Sequence, residues 1–147
     1  MKLSLKKEKY IETIYSLSEK DPHGHAHAKA IAENMGISMP SVSDALKNLS
    51  DLKLIDYQVR KAITLTDSGN KIAVDLLKKE KILLNFLIDI LGLSSKEAEE
   101  TACKIEHIID SAFTDRLSLF IKFANDKKIL ENNNSIQEEF KTWLSKK

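Results

Sequence analysis

The sequence is poor in residues that interrupt helices. Its 147 residues include only four glycines and two prolines, so a mainly helical chain with few tight turns is expected. A single cysteine, Cys103, excludes an intrachain disulfide and suits a reducing cytoplasm. No stretch approaches the roughly 18 uninterrupted apolar residues that a membrane span requires. The start, Met1-Lys2-Leu3-Ser4-Leu5-Lys6-Lys7, lacks the apolar core and cleavage site of a signal peptide. A cytoplasmic protein with no membrane partner is therefore expected. An excess of one charge is also missing, because 23 Lys+Arg face 22 Asp+Glu for a formal net charge of +1. Nucleic-acid binders usually show a basic surplus. If DNA is bound, the basic side chains must be sorted onto one face, with the acidic ones gathered elsewhere or neutralised by something outside the sequence.

What is present is the composition of a folded globular chain, 42% hydrophobic and 31% charged. The length suits one domain, or two small ones sharing a core, and not a large catalytic scaffold. Tyr10, Ile11, Ile14, Tyr15 and Leu17 recur at three- and four-residue steps, predicting an amphipathic helix from Leu5 to Leu17 that stops near Asp21-Pro22-His23-Gly24. A short second helix is expected from Ala28 to Asn34, ended by Met35-Gly36. Ser38 or Met39 then caps a third, with Pro40 pre-set for its first turn and Val42, Ala45, Leu46, Leu49 and Leu52 as its buried face. Two strand-like runs follow, 54–59 and 62–66, joined at Arg60-Lys61 as a hairpin with a basic tip. Thr66 or Asp67 caps a long helix from about Ser68 to Leu91, and Gly92 ends it. Ser94-Ser95-Lys96-Glu97 has the form of a capping box and opens a helix expected to run through roughly Ala112. A further helix is read over Asp115 to Phe123, a polar loop at Asn132-Asn133-Asn134-Ser135, and a last helix from Ile136 to Leu144. No internal repeat is visible.

Helix, helix, short turn, helix, hairpin is the order of a winged helix-turn-helix, although a small α+β domain with no DNA role shares that outline. The expected class is mainly α, with a winged helix-turn-helix domain over 1–70 followed by an all-helical domain over 71–147. In a winged helix-turn-helix the third helix enters the major groove and the hairpin tip meets the backbone. Ser41, Ser43, Asp44, Lys47 and Asn48 lie on the exposed side of that helix, and Ser38, Met39 and Pro40 stand at its start. Short hydroxyls can bond phosphates or base edges, and Met39 and Pro40 can pack on a thymine methyl. Asp44 is unusual there, since a carboxylate repels phosphates unless it accepts from a cytosine amino group. Arg60 and Lys61 at the wing and Lys29 on the second helix are candidates for backbone contact.

After the capping box, Ala98, Ala102, Ile105, Ile109 and Ala112 form one stripe at about 100° per residue. Glu99, Cys103, Glu106, His107 and Asp110 form another beside it. Cys103-x-x-Glu106-His107 brings a thiol, a carboxylate and an imidazole within one turn. That donor set spans soft to hard and suits Fe²⁺, Mn²⁺, Co²⁺ or Zn²⁺. As a bare spacing it is also compatible with a solvated helix face. Glu12 on the first helix and Glu80 on the long one could add ligands.

Taken together, Tyr10-Ile11-Glu12-Thr13-Ile14-Tyr15, Ile31-Ala32-x-x-Met35-Gly36-Ile37-Ser38-x-Pro40-Ser41-Val42-Ser43, Leu65-Thr66-x-x-Gly69 and Cys103-x-x-Glu106-His107 resemble the diphtheria toxin repressor and manganese transport regulator family of metal-dependent transcriptional repressors. The resemblance covers about residues 5 to 125 and is closest to the short, two-domain type. It implies a homodimer that binds a palindromic DNA operator when divalent metal is bound and represses metal-uptake genes, dimerising through the long helix and those after it. It also implies a metal site at Glu12, Glu80, Cys103, Glu106 and His107, with Glu99 near a position that ligates in some members. Cys103 matches iron-responsive members more than manganese ones, where a carboxylate is usual, so of Fe²⁺ and Mn²⁺ the resemblance slightly favours Fe²⁺, while softness alone also admits Zn²⁺ and Co²⁺. The chain departs from the pattern at Lys9, where family members commonly have Asp or Met as a direct ligand; a protonated ammonium cannot ligate. Two branches follow. In one, Lys9 swings aside and metal binds; in the other, Lys9 supplies the positive charge and DNA or protein binding is metal-independent.

His23, His25 and His27 alternate in one segment, so an extended backbone would project them to one side as an accessory metal site. Solvated loop histidines give the same pattern. An enzyme is not expected: Cys103 and His107 at i, i+4 offer a thiol and a base but no oxyanion hole. A winged-helix module that binds protein instead of DNA remains compatible with the low net charge.

Overall fold

The computed structural model of the chain describes residues 3–126, 140 and 142–146. It divides into two compact units, Met1–Leu77 and Lys78–Lys147.

The first unit is a winged helix-turn-helix. It comprises α1 (Leu5–Lys20), α2 (Ala28–Met35), α3 (Met39–Asp51), the strands β1 (Ile55–Asp56) and β2 (Thr64–Leu65), and the first part of α4 (Asp67–Asn85). Helix α2 ends because Gly36 adopts φ 64°, a left-handed conformation that costs glycine nothing. There the Ile37 N–H donates back to the Ala32 carbonyl at 3.0 Å, satisfying an end-of-helix acceptor. Two residues later Ser38 caps α3 by accepting from the Ser41 N–H, with proline in the first turn. Stop and start signals this close together leave only a tight turn between the helices. Tyr10, Ile11 and Ile14 of α1, Ile31 of α2, and Val42, Leu46 and Leu49 of α3 fill one core with Ile55 and Ile63, each at most 2% exposed. Truncating one of them, as in Leu46→Ala, would cost about 2–5 kcal/mol.

The hairpin is shorter than its hydrophobic pattern predicts. Strands β1 and β2 pair antiparallel with Ile55 opposite Leu65 and Asp56 opposite Thr64, so the connection is longer than the two residues Arg60-Lys61. Its turn closes where the Lys61 N–H donates to the Gln58 carbonyl at 3.0 Å, with Arg60 left-handed at φ 65°. Beyond the hairpin, Ile63 exchanges two backbone hydrogen bonds with Ala26, at 2.8 and 2.9 Å. This long-range bridge ties the histidine-containing segment to the wing.

Helix α4 is capped by Thr66, whose Oγ1 accepts from the Gly69 N–H at 3.2 Å and donates to the Lys53 carbonyl at 2.8 Å. A Cβ on Gly69 would collide with the Leu54 carbonyl oxygen, which is why glycine follows Thr66 at that spacing.

In the second unit α4 widens into a π turn over Phe86–Ile90 and stops at Gly92, φ 70°. Helix α5 (Ser95–Ile105) opens with the expected capping box: Ser94 and Glu97 satisfy each other's backbone N–H groups. It ends seven residues earlier than its stripe of small residues predicts. The reason is Asp110, whose Oδ1 accepts from the Phe113 N–H at 2.8 Å and so starts α6 (Ser111–Asp126), ahead of the expected Asp115. Leu83, Leu87, Ala98 and Ala102 form the small core here. The expected loop at 132–135 and most of the expected helix from Ile136 to Leu144 lie outside the described residues.

Candidate functional site

In the first unit, Pro40, Ser41, Asp44, Lys47 and Asn48 are exposed on α3, Met39 is 44% exposed and Ser43 is half-buried. The helix is anchored by its apolar face and leaves a polar face open. Ser38 is held as the cap, with its Oγ 3.0 Å from the Ser41 Oγ. Arg60 and Lys61 are exposed at the wing tip. Lys29 stands on α2, exposed, 3.9 Å from Glu33. Such an exposed i, i+4 pair is worth only a few tenths of a kcal/mol, so Lys29 is easily released to another anion.

The start of α1 borders the same polar face. A groove of about 270 Å³ lies between them, with Lys6 and Lys7 on one side, Ser41, Asp44 and Asn48 on the other, and Tyr10 between. The Tyr10 hydroxyl donates to the Ser41 carbonyl at 3.4 Å, and burial pushes its pKa up. Sequence patterning did not single out Lys6 and Lys7. Their spacing of four and three residues from the buried Tyr10 is the signal that could have placed them.

In the second unit, the donor atoms of Cys103, Glu106 and His107 lie within 4.8 Å of one another, the one such trio found among the described residues. Cys103 is partly exposed near the end of α5, whereas Glu106 is 3% exposed at its terminus. The His107 Nε2 lies 3.2 Å from the Glu106 Oε1. The trio thus spans a helix end and a turn, not one continuous helix. Two side-chain contacts frame that turn: Asp110 caps α6, and the Lys79 Nζ donates to the Ile109 carbonyl at 3.2 Å. A thiolate, a carboxylate and an imidazole are donors that a borderline divalent ion accepts together, so the residues fit such an ion.

Glu80, half-buried on α4, and the exposed Glu99 on α5 are not part of this trio. Glu12 is half-buried on α1 and Lys9 is exposed there. His23, His25 and His27 are not gathered into a metal group. Their segment is organised instead by Asp21, whose carboxylate accepts from the backbone N–H groups of His23 and His25 at 3.0 and 3.1 Å. The His25 N–H, joined by that of His23, holds the Asp21 carboxyl below its ordinary pKa.

Phe113, Phe120 and Phe123 on α6 are each about half exposed, Leu119 is 60% exposed and Ile108 79%. Phe113, Leu119, Phe120 and Phe123 fall on one side of α6 at helical spacing, the kind of surface that a partner can cover.

Comparison with known proteins matches both units. The model of the iron-dependent repressor N-terminal DNA-binding domain matches residues 2–63, and that of the iron-dependent repressor metal-binding and dimerisation domain matches 66–128. An HTH-type transcriptional regulator of Methanocaldococcus jannaschii is 34% identical over 120 residues, covering 82% of this chain and 95% of that protein. The HTH-type transcriptional regulator MntR of Oceanobacillus iheyensis is 30% identical over 119 residues, covering 81% and 79%. The solved structure of the manganese regulator SloR is 33% identical with a TM-score of 0.68, covering 80% of this chain; the chain spans 54% of that structure's length.

Proposed function

Because the chain belongs to the iron-dependent repressor family of metal-dependent transcriptional regulators, with its DNA-binding and its metal-binding and dimerisation domains both represented, we propose that it represses metal-uptake genes with Fe²⁺ or Mn²⁺ as co-repressor. The observation that carries this reading is the convergence of Cys103, Glu106 and His107. Cys103 would supply the soft donor that tilts the choice toward iron, while Zn²⁺ and Co²⁺ also suit the set. Glu12 and Glu80 join the proposed ligand set through the resemblance, with Glu99 as a more peripheral candidate. When bound, the ion supplies positive charge that offsets the carboxylates holding it.

The chain's own residues do the rest. The apolar face of α6 pairs two copies. Ser38, Met39, Pro40, Ser41, Ser43, Asp44 and Lys47 address the major groove, and Lys29, Arg60 and Lys61 address the backbone. In a dimer on a palindromic operator, the two α3 helices must lie about one helical turn, roughly 34 Å, apart. Working on chromosomal DNA places the protein in the cytoplasm. No helix among the described residues is long and apolar enough to cross a membrane. The metal-independent reading built on Lys9 finds no support in the metal-dependent family to which the chain belongs. No relative named above is an enzyme; two are HTH-type transcriptional regulators and the third is a manganese regulator.

Chelation tests the proposal. With Fe²⁺ or Mn²⁺ present, footprinting on genomic fragments should reveal a palindromic protected site that disappears when the metal is chelated. Unchanged DNA affinity on chelation and on metal addition would falsify it. Replacing Glu12 with Gln reports separately on whether that carboxylate belongs to the ligand set, through the metal affinity.

A further inference from the structure

We propose that the groove between the start of α1 and the open face of α3 is a second phosphate-binding element, in which Lys6 and Lys7 hold the operator backbone beside the recognition helix. The inference rests on α3 being the helix that reads DNA. Three observations support it. The wall formed by Ser41, Asp44 and Asn48 is the polar face that α3 turns outward, so whatever meets that face also meets the groove. The opposite wall carries two adjacent ammonium groups on stems long enough to reach a passing strand. The groove also has a buried base. Tyr10 is 1% exposed, and its hydroxyl donates to the Ser41 carbonyl, tying the first helix to the third. The occupant is fixed by charge: two lysines outnumber the single carboxylate of Asp44, and a phosphodiester is the anion that lies along a recognition helix.

This arrangement accounts for two features of the sequence. Asp44 is tolerated on a DNA-facing helix because cations across the groove offset its repulsion of phosphate. A net charge of +1 is compatible with DNA binding because Lys6 and Lys7 join Lys47 in the same unit, at the side of α3 that faces outward.

The test compares three proteins, each with saturating Mn²⁺, on random-sequence duplexes of about 40 base pairs across a salt series. These are the wild type, the double variant K6A/K7A, and the control K20A/K71A, which removes the same charge from exposed lysines outside the groove. Loss of two phosphate contacts should lower the log–log salt slope by about 1.8 and weaken binding on the order of tenfold at moderate salt. The control should keep the wild-type slope. If K6A/K7A keeps the full slope, or K20A/K71A loses as much, the groove does not hold phosphate although the protein binds DNA. If the wild type itself shows no salt-sensitive binding, the DNA-reading role of α3 fails and the groove proposal falls with it. Thermal melting of all three proteins separates a folding defect from lost contact.

Discussion

Glu106 and His107 are neighbours in the chain, and their side chains also meet, with the His107 Nε2 3.2 Å from the Glu106 Oε1 and both side chains at most 4% exposed. A carboxylate taken this far from water needs a compensating cation or donor. The imidazole supplies one contact, and the nearby thiol of Cys103 makes the pair part of a ligand set. Glu106→Gln keeps the shape and hydrogen-bonding capacity but removes the charge. We expect divalent-metal affinity by calorimetry to fall by more than the 10–100-fold that loss of an outer-shell partner typically costs, with metal-dependent DNA binding lost in parallel. Metal affinity equal to wild type would remove Glu106 from the ligand set.

Gly69 stands where α4 passes closest to the Leu54 backbone, and a Cβ there would meet a carbonyl oxygen that cannot rotate away. Gly69→Ala should therefore destabilise the first unit, although alanine is the better helix former. Forced repacking of this kind costs typically 1–3 kcal/mol. Denaturant unfolding measures it, and a variant as stable as wild type would show that α4 can shift outward freely.

These two sites differ in how far the sequence reveals them. The trio Cys103, Glu106 and His107 is legible from spacing, because donors at i, i+3 and i+4 share a face of a helical turn, and Glu106, although it caps the end of α5, keeps right-handed helical angles, φ -54° and ψ -34°. The end of α5 was not legible: Ala98, Ala102, Ile105, Ile109 and Ala112 keep helical spacing straight through it, hiding Asp110 as the cap of the next helix. The stop at Gly36 and the start at Ser38-Pro40 were legible because local backbone chemistry alone decides them. The bridge from Ala26 to Ile63 and the groove walled by Lys6 and Lys7 depend on packing between distant segments, which no local period encodes.

The capping box at Ser94 and Glu97 gives a pH-dependent start to α5. The Ser94 hydroxyl donates to the Glu97 carboxylate at 2.6 Å and the Ser94 N–H at 3.0 Å, and together they hold its pKa below the ordinary value. A depressed carboxyl pKa stabilises the fold above the unfolded value, near 4.3 for glutamate, and the contribution is lost as pH falls through the folded pKa. Between pH 7 and pH 5 the box should contribute fully, and its contribution should shrink as pH falls below the ordinary glutamate value and vanish once pH is below the lowered folded pKa. Comparing the thermal midpoints of wild type and Glu97→Gln across that range checks the sign. The gap between them should narrow in acid, and a gap that widened would contradict the assigned direction.

Arg60 carries an opposing pair of effects at the tip of the wing. Its φ of 65° is left-handed, a conformation that costs a side-chain-bearing residue on the order of 1 kcal/mol. Glycine would remove the steric cost, partly offset by the extra backbone freedom it brings to the unfolded chain. The exposed guanidinium, however, is one of the cations proposed to meet the DNA backbone. Arg60→Gly should therefore leave thermal stability equal or slightly raised while lowering the salt slope of DNA binding by about 1. The two measurements answer different questions. A fall in stability would mean that the side chain braces the hairpin, and an unchanged salt slope would take Arg60 off the backbone-contact face.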